Sequence, residues 1–152
     1  EKDRQSFGHA EDIPLMTNCT QKEFLAHAAI NATRLLGVEG IITDSETGET
    51  ARNLASFRGP KPILAICYKE KTQRWLNLSY GVISVYQKEH QNADFMFLAA
   101  LRMLRQKGYL TDNDKVAYLS GSLGEGGGTT FIEINDVSKA FDEKYQFHLP
   151  KV

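Results

Sequence analysis

From Thr20 onward the apolar positions fall into two kinds of run that alternate along the chain. Thr20 and Glu23 have the spacing of a capping box, in which the hydroxyl takes the amide three residues on and the carboxylate reaches back. Behind them Phe24, Leu25, Ala28, Ala29, Ala32, Leu35 and Leu36 recur at helical spacing until Gly37, a residue suited to end a helix. Residues 40–43 (Gly-Ile-Ile-Thr) then form a short apolar strand, and 44–49 a polar turn. The spacing predicts a second helix over 50–57, closed by Gly59-Pro60.

The cycle repeats. Residues 62–68 read as a strand, 71–80 as a helix ended by Gly81, and 82–86 as a third strand. Asn92 is placed to cap a long helix running through Phe95, Leu98, Leu101 and Leu104 to Lys107-Gly108. Residues 116–119 give a fourth strand, 121–128 a glycine-rich loop, 131–134 a last strand and 137–141 a short helix. Strands of four to seven residues separated by helices require crossover connections and a mostly parallel sheet. Such a sheet is covered on both faces, so its strands are continuous apolar runs. The loop before the last strand has no room for a helix, so that strand is expected antiparallel, at an edge. The fold class is therefore α/β: a three-layer sandwich around a mostly parallel five-stranded sheet with an antiparallel edge strand. Residues 1–19, broken by Gly8 and Pro14, read as a linker or tail, and 20–152 as one domain.

With 152 residues, 41% hydrophobic and 24% charged, the chain has the balance of one globular domain. A net charge of −1 offers no basic field, so neither nucleic acid nor an anionic membrane is an expected partner. No apolar run approaches the ~20 residues of a membrane-spanning helix. Cys19 and Cys67 lack metal or redox spacing; a disulfide between them is open to the sequence, and two buried or idle thiols in a reducing cytosol are the expected reading. The chain starts at Glu1 rather than at methionine, as a segment of a longer protein does.

In an open α/β sheet, ligands gather at the carboxyl ends of the strands. Two loops leave such ends with unusual composition. Ser45, Glu46, Thr47, Gly48, Glu49 and Thr50 stand between the first strand and the next helix. Hydroxyls and a glycine at a helix start suit an anion, which meets free amides and the positive end of the dipole. The same residues also serve as an ordinary cap and turn. Asp44, Glu46 and Glu49 crowd three carboxylates together with no cation before Arg52, which opposes a phosphate.

The second loop, with Gly126, Gly127, Gly128 and Thr129 at its end, lacks the lysine of a Walker-type loop and leads into a strand. It is either a mobile hairpin or a flap over a ligand held by the first loop. His9, His27, His90 and His148 are scattered, and Trp75, beside Leu76 and Leu78, is expected in the core. No catalytic residue and no metal ligand set emerges.

Several segments resemble the C-terminal domain of pyruvate kinases. Residues 40–52, Gly-Ile-Ile-Thr-Asp-Ser-Glu-Thr-Gly-Glu-Thr-Ala-Arg, are similar to that family's T-x-S/T-G-x-T/S-A-R passage. Phe57-Arg58-Gly59-Pro60, the strand Pro62-Ile63-Leu64-Ala65, and Leu78-Ser79-Tyr80-Gly81-Val82 follow in the family's order. Residues 107–121 resemble its run toward a Ser-Gly at the fourth strand's end.

The resemblance implies that phosphoenolpyruvate, ADP, Mg²⁺ and K⁺ bind in a catalytic barrel elsewhere in the same chain, with no cofactor in this domain. It implies a regulatory and subunit-contact role within a homo-oligomeric cytoplasmic enzyme of glycolysis. A phosphorylated small-molecule effector would bind on Ser45 to Thr50 with help from the glycine loop. Glu46, Glu49, Met96 and Glu125 depart from the sugar-bisphosphate pattern. The other reading is a free-standing sensor of a phosphorylated metabolite. An independent small enzyme lacks a nucleophile or an acid–base pair.

Overall fold

A computed structural model describes residues 18–88, 93–121 and 128–146, the side chains of 93–96 and 142–146 excepted. Asn92 and the tail 1–17 lie outside the described residues. The elements run α1 (Gln21–Leu35), β1 (Gly40–Ser45), α2 (Glu49–Ser56), β2 (Ile63–Cys67), α3 (Glu70–Leu76), β3 (Val82–Tyr86), α4 (Ala93–Gln106), β4 (Lys115–Ser120), β5 (Phe131–Asp136) and α5 (Val137–Gln146).

The sheet order is β3-β2-β1-β4-β5. β1 pairs in parallel with β2 and β4, β2 with β3, and β5 antiparallel with β4. This is the expected sandwich, antiparallel edge strand included. Stepping from β1 to β2 to β3, right-handed crossovers set α2 and α3 on one face. The chain then returns past β1 to reach β4, so α4 falls on the other face.

Two cores follow. Ile41, Ile63, Ala65, Cys67 and Leu119 point toward Ala26, Ala29 and Ile30 of α1, Ala51 and Leu54 of α2, and Leu76 of α3. Ile42, Leu64, Ile66, Val85, Val116 and Tyr118 point toward Phe97, Ala100, Leu101 and Leu104 of α4, and Val137 and Ala140 of α5. Adjacent residues such as Ile41 and Ile42 serve opposite cores, the reason the strands read as unbroken apolar runs.

The capping box forms as expected: Thr20 Oγ1 accepts from the Glu23 amide and Glu23 Oε2 from the Thr20 amide. The helical stripe does not face inward as a whole. Ala26, Ala29, Ile30, Ala32 and Thr33 are buried, whereas Phe24, Leu35 and Leu36 are exposed. Small side chains let α1 approach the sheet, and the large ones turn away. α3 stops at Leu76, short of Tyr80, because the amides of Leu78 and Ser79 bond three residues back, to Trp75 and Leu76. These tighter turns end the helix. Trp75, expected in the core, is 63% exposed. α3 buries only Leu76, and its neighbour is rotated ~100° away.

Candidate functional site

The winding direction reverses between β1 and β4, and the crevice outside the carboxyl ends of those two strands is where such folds place ligands. β1 ends in Asp44-Ser45 and β4 in Ser120-Gly121. Asp44 accepts a hydrogen bond from Ser120, while burial outweighs that bond and raises its pKa above the ordinary 3.8.

The loop after β1 is braced from within and from outside. Ser45 Oγ accepts the Gly48 amide at 2.6 Å, closing a turn that carries Gly48 to φ 83°. Gly48 occupies the N-cap of α2 with no side chain to cap it. The Glu49 amide bonds weakly to Thr47 Oγ1 at 3.4 Å, and the next bonded amide is Arg52, donating to the Gly48 carbonyl. The amides of Thr50 and Ala51 are thus left at the helix start without an acceptor among the described residues. From outside, Thr72 Oγ1 donates to the Glu46 carbonyl at 2.8 Å, and the Cα of Gly48 faces Leu76 and Thr72.

The second loop meets the first. Thr129 is buried, and its hydroxyl stands 2.7 Å from that of Thr50 on α2. At the loop's neck the Thr130 amide donates to the Ser120 carbonyl. A Cβ on Gly121 would run into the Gly128 carbonyl oxygen, so only glycine fits there. Gly128 in turn lies under the aliphatic stem of Lys22. Gly126 and Gly127, the other expected contributors, lie outside the described residues, as does Glu125.

Thr50 and Thr129 therefore form one cradle, with Gly128 next to Thr129 and the Ser45–Gly48 turn leading into α2. Sequence spacing missed the cations around it. Lys69 Nζ pairs with Glu46 at 2.6 Å, and Lys22 Nζ pairs with Glu49 at 2.9 Å. The Lys69 hydrogen bond and charge hold the Glu46 pKa below its usual range. The expected crowd of unopposed carboxylates is thus corrected: two have lysine partners brought by α1 and by the loop before α3, and the third is half-buried. These pairs lie 27 and 23 positions apart in sequence, so no local motif announces them.

The arrangement can receive an anion. The hydroxyls of Thr50 and Thr129 and two amides lie where a helix dipole begins. Among the described residues no group of three or more His, Cys, Asp or Glu side chains is placed to hold a metal ion.

A sheet wound both ways from β1, with polar loops meeting at the turning point, defines a doubly wound α/β domain. The family described as "Pyruvate kinase, alpha/beta domain" matches residues 23–135, and the chain belongs to that family. It is 34% identical over 122 residues to the pyruvate kinase of Borreliella burgdorferi, covering 78% of this chain and 26% of that protein. It is 31% identical over 110 residues to that of Bacillus licheniformis, covering 72% and 18%. The chain thus spans about a quarter or less of these relatives. Among solved structures, "Cryptosporidium parvum pyruvate kinase in complex with ADP" superposes with a TM-score of 0.70 at 22% identity, over 77% of this chain and 24% of that one. That likeness is one of fold.

Proposed function

We propose that this chain is the regulatory and subunit-contact portion of a pyruvate kinase acting in the cytoplasm. The whole enzyme, on this reading, transfers the phosphoryl group of phosphoenolpyruvate to ADP in glycolysis. Phosphoenolpyruvate, ADP, Mg²⁺ and K⁺ then belong to the catalytic barrel, in the larger part of the protein that the relatives carry beyond the matched segment. The residues described here bind and orient but supply no nucleophile.

The observation that carries the reading is the Thr50–Thr129 contact, which joins the two strand-end loops over the free amides of α2. A phosphorylated metabolite seated there bridges two elements, so its binding energy couples the loops to each other. Lys22 and Lys69 offset the carboxylates that otherwise oppose it.

Support for a homo-oligomer comes from the β5 edge of the sheet. β5 pairs only with β4 among the described residues, and it exposes Phe131 and Ile134. Neighbouring α1 exposes Phe24, Leu35 and Leu36. An open strand edge beside apolar side chains is a surface that a second copy can cover.

The test is thermal unfolding of the chain with ribose 5-phosphate, glucose 6-phosphate or fructose 1,6-bisphosphate. A ligand at a hundred times its Kd raises Tm by about 5–10 °C for a domain of this size. Thr129→Val is expected to diminish that shift. No shift with any of the three, together with a monomer at every concentration in sedimentation, contradicts the reading.

A further inference from the structure

Outside the cradle, the described surface carries a second group of side chains suited to a ligand. A cleft of about 310 Å³ between α2 and α3 is lined by Thr47, Arg52, Lys71, Thr72 and Trp75. Its size falls at the lower end of the ~300–1,000 Å³ range of small-molecule clefts. Arg52 lies two residues beyond Thr50, which turns it ~200° around α2. Thr50 meets Thr129 on one side of the helix, and Arg52 meets α3 on the other.

Charge in the cleft is unbalanced. The nearby carboxylates have partners of their own: Glu46 pairs with Lys69 and Glu70 with Arg74. Arg52 and Lys71 form no ion pair among the described residues and stand exposed over the same hollow. Lys71 and Trp75 are four apart on α3, so their side chains share one face. Trp75 presents an aromatic ring to solvent at 63% exposure, where an apolar core had room only for Leu76. The hydroxyl of Thr47 completes the rim.

We propose that this cleft binds a phosphate ester carrying an aromatic ring or base, its phosphate on Arg52 and Lys71 and its ring stacked on Trp75. Guanidinium and ammonium groups make charge-assisted hydrogen bonds to phosphate oxygens. A ring lying on tryptophan is held by stacking that tolerates different bases. This site is separate from the Thr50–Thr129 cradle and does not rest on the regulatory reading.

Trp75 is the single tryptophan of the chain, so its fluorescence reports this cleft alone. The chain is titrated with phenyl phosphate and adenosine 5′-monophosphate, and with adenosine and inorganic phosphate as the separated halves. The proposal expects saturable quenching by both esters, competition by inorganic phosphate without quenching, and weaker binding of adenosine. Arg52→Ala and Lys71→Ala each weaken ester binding by about tenfold or more. Lys107→Ala, exposed just past α4, leaves it unchanged. Arg52, Lys71 and Lys107 are all exposed and away from the core packing, and far-ultraviolet circular dichroism confirms folding of each variant. Absence of saturable quenching overturns the proposal, as does quenching equal in the wild type and the Arg52 and Lys71 variants. Ester binding weakened as much in Lys107→Ala overturns it too.

Discussion

Thr50 and Thr129 stand 79 positions apart in sequence, yet their hydroxyl oxygens lie 2.7 Å from each other. One belongs to the first turn of α2 and the other to the loop that precedes β5. That bond joins the loops on either side of the point where the sheet reverses its winding.

Removing either hydroxyl is expected to cost roughly 0.5–1.5 kcal/mol, the net worth of one such bond. Thr50→Val and Thr129→Val, measured singly and together by urea unfolding, are expected to be non-additive, with a coupling of about 1 kcal/mol. Additive losses show that the two side chains do not share a bond in solution.

Gly48 holds φ 83°, and a Cβ there would lie 3.2 Å from Leu76 Cδ2 and 3.4 Å from Thr72 Cγ2. Gly48→Ala is expected to destabilise by roughly 1–2 kcal/mol from the left-handed backbone alone, with crowding adding to it. Urea midpoints compare it with Gly108→Ala, where φ is 78° but nothing lies near the added methyl. Equal losses at the two sites show that Leu76 and Thr72 give way freely.

These residues show what is legible in sequence. Strands β1 to β4 announced themselves because each serves both cores, as Ile41 and Ile42 do, and a helix-free loop of glycines dictated the antiparallel β5. The cradle's hydroxyls were visible from the capping chemistry of 45–50. Its electrostatics were not: Lys22 and Lys69 reach Glu49 and Glu46 only through the docking of α1 and α3. Trp75 misled for a related reason. Helical spacing gives the period of a stripe, but which residue faces the sheet depends on how a short helix docks.

Asp44 gives a pH dependence of definite sign. Burial raises its folded pKa above 3.8, so the native state holds the proton more tightly than the unfolded chain does. Between those two values unfolding releases a proton, and its contribution to stability, full below 3.8, is lost as pH rises through the folded value. Asp44→Asn keeps an acceptor for Ser120 and removes the charge. It is expected to raise Tm at pH 7 and to flatten the Tm profile above pH 4. A lower Tm at pH 7 with an unchanged profile contradicts this account of the burial.

The two thiols, neither in a disulfide, are expected to differ in reactivity. Cys67 is buried under α1 and α2, and its pKa is pushed up to about 11, so little thiolate forms near neutrality. Cys19 is half-exposed ahead of α1. Ellman's reagent at pH 7.5 is expected to label one thiol promptly and the second only in denaturant. Two thiols of equal rate in the native chain show that the sheet opens readily at β2.

On the proposed function, the amides opening α2 receive a phosphate between the two loops. Hydrogen exchange resolved to single amides, with and without ribose 5-phosphate, glucose 6-phosphate and fructose 1,6-bisphosphate, tests it most directly. At least one of these is predicted to slow exchange at Thr50 and Ala51, with the effect reduced in Thr129→Val. Unchanged exchange at both amides with all three esters contradicts the claim.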